Sequence, residues 1–178
     1  PDTATRHCLV TGASSGIGES LARLYASRGD QVGLVARRQD HLQRLAAEIT
    51  PRPEIYPLDV RDAGALKAAA ADFIARHGAP DIVIANAGVS RGTLTEMEDD
   101  LKAFQEILDI NVMGMVNTFH AFIGPMRNAG NGTLVGIASV AGFRGIPGGG
   151  AYSASKSAAI KYCESLRVEL RGTGVGVV

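Results

Sequence analysis

His7-Cys8-Leu9-Val10-Thr11, followed at once by Gly12-Ala13-Ser14-Ser15-Gly16-Ile17-Gly18, is the stretch on which the fold turns. A short apolar run reads as a buried strand, and the glycine-rich run behind it reads as a tight turn opening a helix near residue 16. Such a turn aims the unpaired amides of a helix start at whatever sits above the strand end, and an anion fits there. The spacing of Gly12, Gly16 and Gly18 differs from the usual GxGxxG fingerprint, so the turn by itself is a weak signal.

Outward from this unit the same alternation continues to the end of the chain. Brief apolar strands are predicted at residues 7–11, 31–36, 54–58, 81–85, 133–138 and 175–178. Helices are predicted at 16–28, 40–49, 63–77, about 97–127 with one break, and 151–171. Strand and helix in strict alternation predict an α/β fold with a doubly wound, Rossmann-type parallel sheet flanked by helices. The last predicted strand stops at Val178, which leads to the expectation of one domain over 1–178 that is C-terminally incomplete, lacking an edge strand and a substrate lid.

Composition narrows the function classes. The 178 residues are 46% hydrophobic, and 18 basic residues balance 18 acidic ones. No basic excess points to nucleic acid or an anionic membrane, which favours small-molecule chemistry. No apolar run reaches the roughly 20 residues of a membrane span, so the expectation is a soluble, cytoplasmic protein without a membrane partner. Cys8 and Cys163 read as unpaired, buried thiols. The four histidines are scattered without metal-ligand spacing, and no metal site is expected.

Tyr152-Ser153-Ala154-Ser155-Lys156 carries the chemical signal, since residues four apart on a helix share a face and would set a phenol beside an ammonium. A free tyrosine has a pKa of about 10, so proton exchange near pH 7 asks its surroundings for about 4 kcal/mol. A unit charge at about 4 Å supplies roughly that at an effective dielectric of 20, and only about 1 kcal/mol in bulk water. The pair therefore works only where solvent is partly excluded.

Taken together, the TGASSGIG run at 11–18, Asn86-Ala87-Gly88, Asn111, Ser139 and the Tyr152/Lys156 pair resemble the short-chain dehydrogenase/reductase family. Ser139 lies 13 residues before Tyr152, as that family places it, and the TGxxxGxG form resembles its compact, single-domain branch. The resemblance implies a bound nicotinamide dinucleotide and hydride transfer between a carbonyl and an alcohol. It assigns Tyr152 as general acid/base, Lys156 as the cation supporting it and as a ligand of the nicotinamide ribose, and Ser139 as the donor that polarises the substrate oxygen. Asn111 matches the family asparagine that interrupts a helix and anchors a water leading to the lysine.

For the cofactor, the resemblance implies contacts along Gly12, Ser14, Ser15, Gly16, Ile17 and Gly18, at Asp59 and Val60 near the adenine, and at Asn86, Ala87 and Gly88. Asn86 itself is expected to hydrogen-bond within the sheet. Asp59 has a helix-capping alternative, although Asp62, directly before the predicted helix at 63, suits that role better. Strand two ends at Ala36 where an acidic residue would select NAD. Arg37 and Arg38 follow, and their guanidinium groups would fork onto the 2′-phosphate of NADP(H).

The substrate wall is assigned to residues 89–94 and 141–150, with an apolar cast from Phe143, Ile146 and Pro147. Gly148-Gly149-Gly150 is expected to make that wall mobile, and Arg91 and Arg144 could attract an anionic group, although loop arginines are more often merely solvated. Related proteins dimerise or tetramerise, and Met113, Met115, Val116, Phe119 and Ala159 are candidate packing residues for a homodimer or homotetramer, although helix stripes of this kind more often face the protein's own core. The leading expectation is an NADP(H)-dependent oxidoreductase of small carbonyl compounds. Its alternatives are a non-catalytic NADPH-binding sensor or scaffold, and an epimerase or dehydratase that keeps its cofactor.

Overall fold

Six parallel strands form one sheet in the order β3-β2-β1-β4-β5-β6. The computed structural model describes residues 5–178. In chain order the elements are β1 (His7–Thr11), α1 (Gly16–Ser27), β2 (Gln31–Ala36), α2 (Gln39–Glu48), β3 (Glu54–Pro57), α3 (Ala63–His77), β4 (Ile82–Ala85) and α4 (Asp100–Leu108). A five-residue π-helical turn, Asp109–Met113, then joins α4 to α5 (Gly114–Ala129), followed by β5 (Gly132–Gly136), a 3-10 turn at Val140–Gly142, α6 (Gly150–Glu169) and β6 (Val175–Val177). The α/β reading of the sequence therefore holds, with strand ends shifted by at most two residues.

Alternation along each strand sorts the core into two layers. On one face Leu9, Val35, Val83 and Leu134 pack against Phe73 of α3, Phe119, Phe122 and Met126 of α5, and Leu166 of α6. On the other face Cys8, Val10, Val32 and Leu34 pack against Ala22 and Ala26 of α1 and Leu42 and Leu45 of α2. Each fully buried phenylalanine contributes about 1.5–3 kcal/mol relative to exposure. Both cysteines are buried free thiols, as expected.

The long helical segment bears on three readings of the sequence. The break expected within residues 97–127 falls at the π turn 109–113, which joins α4 and α5 without a gap over 100–129 and whose extra residue rotates Asn111 inward. This rod is long and apolar enough, by length and composition, to cross a membrane, although no unbroken apolar run predicted it. Here its apolar stripe, including Ile107, Phe119, Phe122 and Met126, is buried in the protein's own core. For the same reason Met115, Phe119 and Ala159 are not available for subunit packing, because all three lie inside the first core layer. Met113 is exposed and Val116 half-buried.

Strand order reverses between β1 and β4, since β1 pairs with β2 on one side and β4 on the other. Ligands of open α/β sheets bind beyond the carboxyl ends of the strands at such a reversal.

Candidate active site

Above that reversal, the ends of β1 and β4 are tied together by Thr11. Its Oγ1 accepts the backbone N–H groups of Asn86 and Ala87, each at 3.1 Å, and donates to the Ile84 carbonyl at 3.4 Å. Asn86 returns the link, its Nδ2 donating to the carbonyl of Thr11 at 3.0 Å. The expected structural role of Asn86 is thus visible, and Thr11 emerges as a hub that the sequence marked only as the first letter of the turn.

The glycine turn is pressed against this joint. Gly12 has φ of 68°, a left-handed conformation, and a Cβ there would stand 2.9 Å from the Ala87 Cα. Gly18, buried in the first turn of α1, would put a Cβ 2.6 Å from Asn86 Nδ2 and closer still to the Gly12 carbonyl. Helix α1 begins after Ser15 with no side-chain cap, whereas α3 is capped by Asp62, whose carboxylate accepts the Ala65 N–H at 2.9 Å. The first-turn amides of α1 are thereby left for a ligand, and the helix dipole favours an anion.

Two arginines and one aspartate shape the far end. Arg38 donates from Nη2 to Ser14 Oγ at 3.0 Å and to Ser15 Oγ at 2.9 Å, clipping itself to the turn. Arg37 is 57% exposed and stands 3.9 Å from Asp59. Asp59 does not cap a helix; Arg61 grips both its carboxylate oxygens. That grip holds the Asp59 carboxyl below the usual carboxylate range, with Arg37 adding a smaller pull.

At the other end, Lys156 is 5% exposed, and its Nζ donates to the Ile137 carbonyl at 2.6 Å. Burial lowers the pKa of this ammonium from the ordinary lysine value. Nζ lies 5.7 Å from the centre of the Tyr152 ring, so the phenol and the cation are neighbours on α6 as their spacing predicts. Ser139 stands beyond β5, where its Oγ accepts the Ala141 N–H at 3.2 Å and keeps its own hydrogen to donate. Asn111 is buried behind them. Its Oδ1 accepts the Val89 N–H at 2.8 Å, and Nδ2 donates to the Val89 carbonyl and to Ser155 Oγ. Ser155 in turn donates to the Tyr152 carbonyl at 2.7 Å, so the π turn is bolted both to the loop after β4 and to α6.

A single cleft of about 640 Å³ joins the two ends. It is lined by Gly12, Ser14, Ser15, Ile17, Arg37, Arg38, Asp59, Val60, Asn86, Ala87, Gly88, Ser139, Tyr152 and Lys156, all expected from the sequence. Gly16, Gly18 and Asn111 are not on its surface: Gly16 has φ of 59° and sets the turn, while the other two support it from below. Ala36 and the 89–90 start of the expected substrate wall also line it, and the structure adds Leu58, Ile110, Ile137 and Ala138, whose apolar or small side chains carried no motif.

The wall toward the substrate side, where the glycine run is expected to be mobile, is held at two points. Thr93 donates its N–H to the Gly148 carbonyl at 2.7 Å, and the Ile146 N–H reaches Ser153 Oγ at 3.2 Å. Arg91 is paired with Glu106 at 3.0 Å and is not free for an anion, whereas Arg144 is exposed.

The donor set suits an anionic dinucleotide laid along this cleft, with uncapped amides at the turn, cations at one end and an ammonium at the other. Sequence comparison gives the class: residues 6–178 match the model of the short chain dehydrogenase family, and the chain belongs to that family. Among its relatives, an uncharacterized oxidoreductase of Myxococcus xanthus is 44% identical over 177 residues, spanning 97% of this chain and 69% of that protein. The 2-dehydro-3-deoxy-L-rhamnonate dehydrogenase (NAD(+)) of a Sphingomonas species is 38% identical, spanning 97% and 69%. A solved serine dehydrogenase, in a closed form complexed with NADP+, superposes with a TM-score of 0.90 at 32% identity, covering 95% of this chain and 68% of its own. The chain spans about two thirds of the length of these relatives.

Proposed function

We propose that this chain is the cofactor-binding and catalytic part of an NADP(H)-preferring oxidoreductase that interconverts a ketone or aldehyde with its alcohol. The observation carrying the proposal is that Ser139, Tyr152 and Lys156 share one cleft with the uncapped glycine turn and the Arg37/Arg38 pair. Arg37 and Arg38, with Ser14 and Ser15 between them and the turn, would hold the 2′-phosphate. The α1 amides and the close approach allowed at Gly12 would hold the pyrophosphate, and Asp59 and Val60 would border the adenine. When bound, the cofactor supplies or takes the hydride at the nicotinamide.

The remaining chemistry belongs to the side chains. In reduction, Tyr152 Oη donates a proton to the substrate oxygen, and in oxidation it takes that proton from the alcohol. Ser139 donates its free hydroxyl hydrogen to the same oxygen and fixes its orientation. Lys156 uses one N–H on Ile137, which leaves two for the ribose and for reprotonating Tyr152. Lys156 Nζ and Asn111 Oδ1 both flank Gly88, so a proton path from Tyr152 through Lys156 toward a water near Asn111 is the relay of this reading. The solved relative complexed with NADP+ supports the cofactor, while the relative named for NAD(+) makes the preference the point to test.

The test is NADPH oxidation against a panel of aldehydes and ketones. Net consumption with at least one is expected. Tight binding of NADPH with no net consumption across a broad panel would favour a sensor, and product formation without it would favour an epimerase or dehydratase. Assembly into a homodimer or homotetramer belongs to the same proposal, and sedimentation showing only monomer would count against it.

A further inference from the structure

We propose that Arg61 sets the cofactor preference of the cleft without touching the phosphate: by neutralising Asp59, it leaves Arg37 available to the 2′-phosphate. The inference rests on the NADP(H) reading above. Arg37 and Asp59 stand 3.9 Å apart, close enough to attract and too far to hydrogen-bond. What holds Asp59 away from a direct pair is Arg61. Its backbone N–H and Nε donate to Oδ1 at 3.0 and 3.1 Å, and Nε and Nη2 donate to Oδ2 at 3.1 and 2.7 Å.

Arg61 is itself well placed to stay. Asn117 Nδ2 of α5 donates to the Val60 carbonyl at 3.0 Å and the Arg61 carbonyl at 3.4 Å, pinning the backbone of this turn. Glu106 and Asp109 add negative potential that favours the guanidinium where it lies. Remove the Arg61 charge, and the carboxylate of Asp59 faces Arg37 alone. Arg37 then turns toward Asp59, and an arriving phosphate meets an unscreened negative charge. Both effects act on a phosphate, and neither acts on the bare 2′-hydroxyl of NADH. Whatever Asp59 contributes to the adenine is common to both cofactors and cancels in their ratio.

The experiment is calorimetric titration of the chain with NADPH and with NADH at low salt, reading the ratio of the two dissociation constants. Relative to wild type, Arg61→Ala should lower the preference for NADPH by about fivefold, the size expected for a partly exposed ion pair. Arg61→Lys, which keeps the charge, and the double variant Asp59→Asn/Arg61→Ala, which removes both charges, should stay within about twofold of wild type. Raising the salt should shrink the effect of Arg61→Ala. Should Arg61→Ala fail to fold by its melting curve, Arg61→Gln, which retains the stem, carries the same comparison. An unchanged ratio in the neutral variant, or a double variant as impaired as the single one, overturns the role of Arg61 while leaving NADP(H) preference standing. A wild-type chain without NADPH preference overturns the cofactor reading itself, and this inference with it.

Discussion

At Gly12 and at Gly18 a single added carbon collides with backbone, whereas between Val140 and Ile146 large apolar side chains stand in the open. At the first of these regions the Thr11 hub, the Asn86 carboxamide and two Cβ-less positions lock the turn onto the ends of β1 and β4. At the second, Val140 is 82% and Phe143 81% exposed, and Gly145 and Gly148 have open space around them. The cleft thus has a closely packed end at the turn, and past Ser139 at its other end the chain runs into an exposed loop. A ligand common to many reactions favours a fixed cradle, while a loop wall carried on a rigid scaffold can vary with the substrate. Lys156 and Asn111 mark the seam, because both are buried and bonded into the scaffold.

The comparison can be broken most strongly at the seam. Tyr152→Phe should lower turnover by about 10²- to 10⁴-fold, the span of general acid/base catalysis, while NADPH affinity stays within about threefold. Steady-state rates and a binding titration on the same sample check this, and a fall in both would mean that Tyr152 shapes the cradle and not the chemistry. Gly18→Ala attacks the rigid end. Its new Cβ has nowhere to go but into Gly12 and Asn86, so stability should fall by about 2–3 kcal/mol in urea unfolding, and cofactor affinity should fall with it. Phe143→Ser sharpens the contrast by doing little: stability should hold within about 0.5 kcal/mol, as for other exposed positions, while KM for a carbonyl substrate shifts and NADPH affinity does not. A large loss of stability in that variant would show that the wall is packed, contrary to its exposure.

Local sequence carried the frame because most strands are brief apolar runs set between helical patterns, and one helix start is marked outright, by Asp62 for α3. The cleft was legible to the extent that its residues fall in contiguous runs, such as 12–18, 86–88 and 152–156. What escaped depends on contacts distant in sequence. Thr11 serves amides 75 and 76 residues away, and Asn111, whose helix interruption was expected, has its side-chain partners 22 residues earlier and 44 later. No periodicity encodes those links. Met115 and Phe119 failed as subunit contacts on similar grounds, since an apolar stripe does not say whether its cover comes from the same chain. The Asp59/Arg61 pair lies two residues apart in sequence and was still silent, because Arg37 reaches it from the turn after β2.

The most direct test of the account is a calorimetric titration of the unaltered chain with NADPH and NADH in the absence of substrate. A cradle already formed, with Arg37 and Arg38 at its phosphate end, predicts NADPH binding at least about tenfold tighter than NADH, or about 1.4 kcal/mol. Equal or tighter binding of NADH would contradict it.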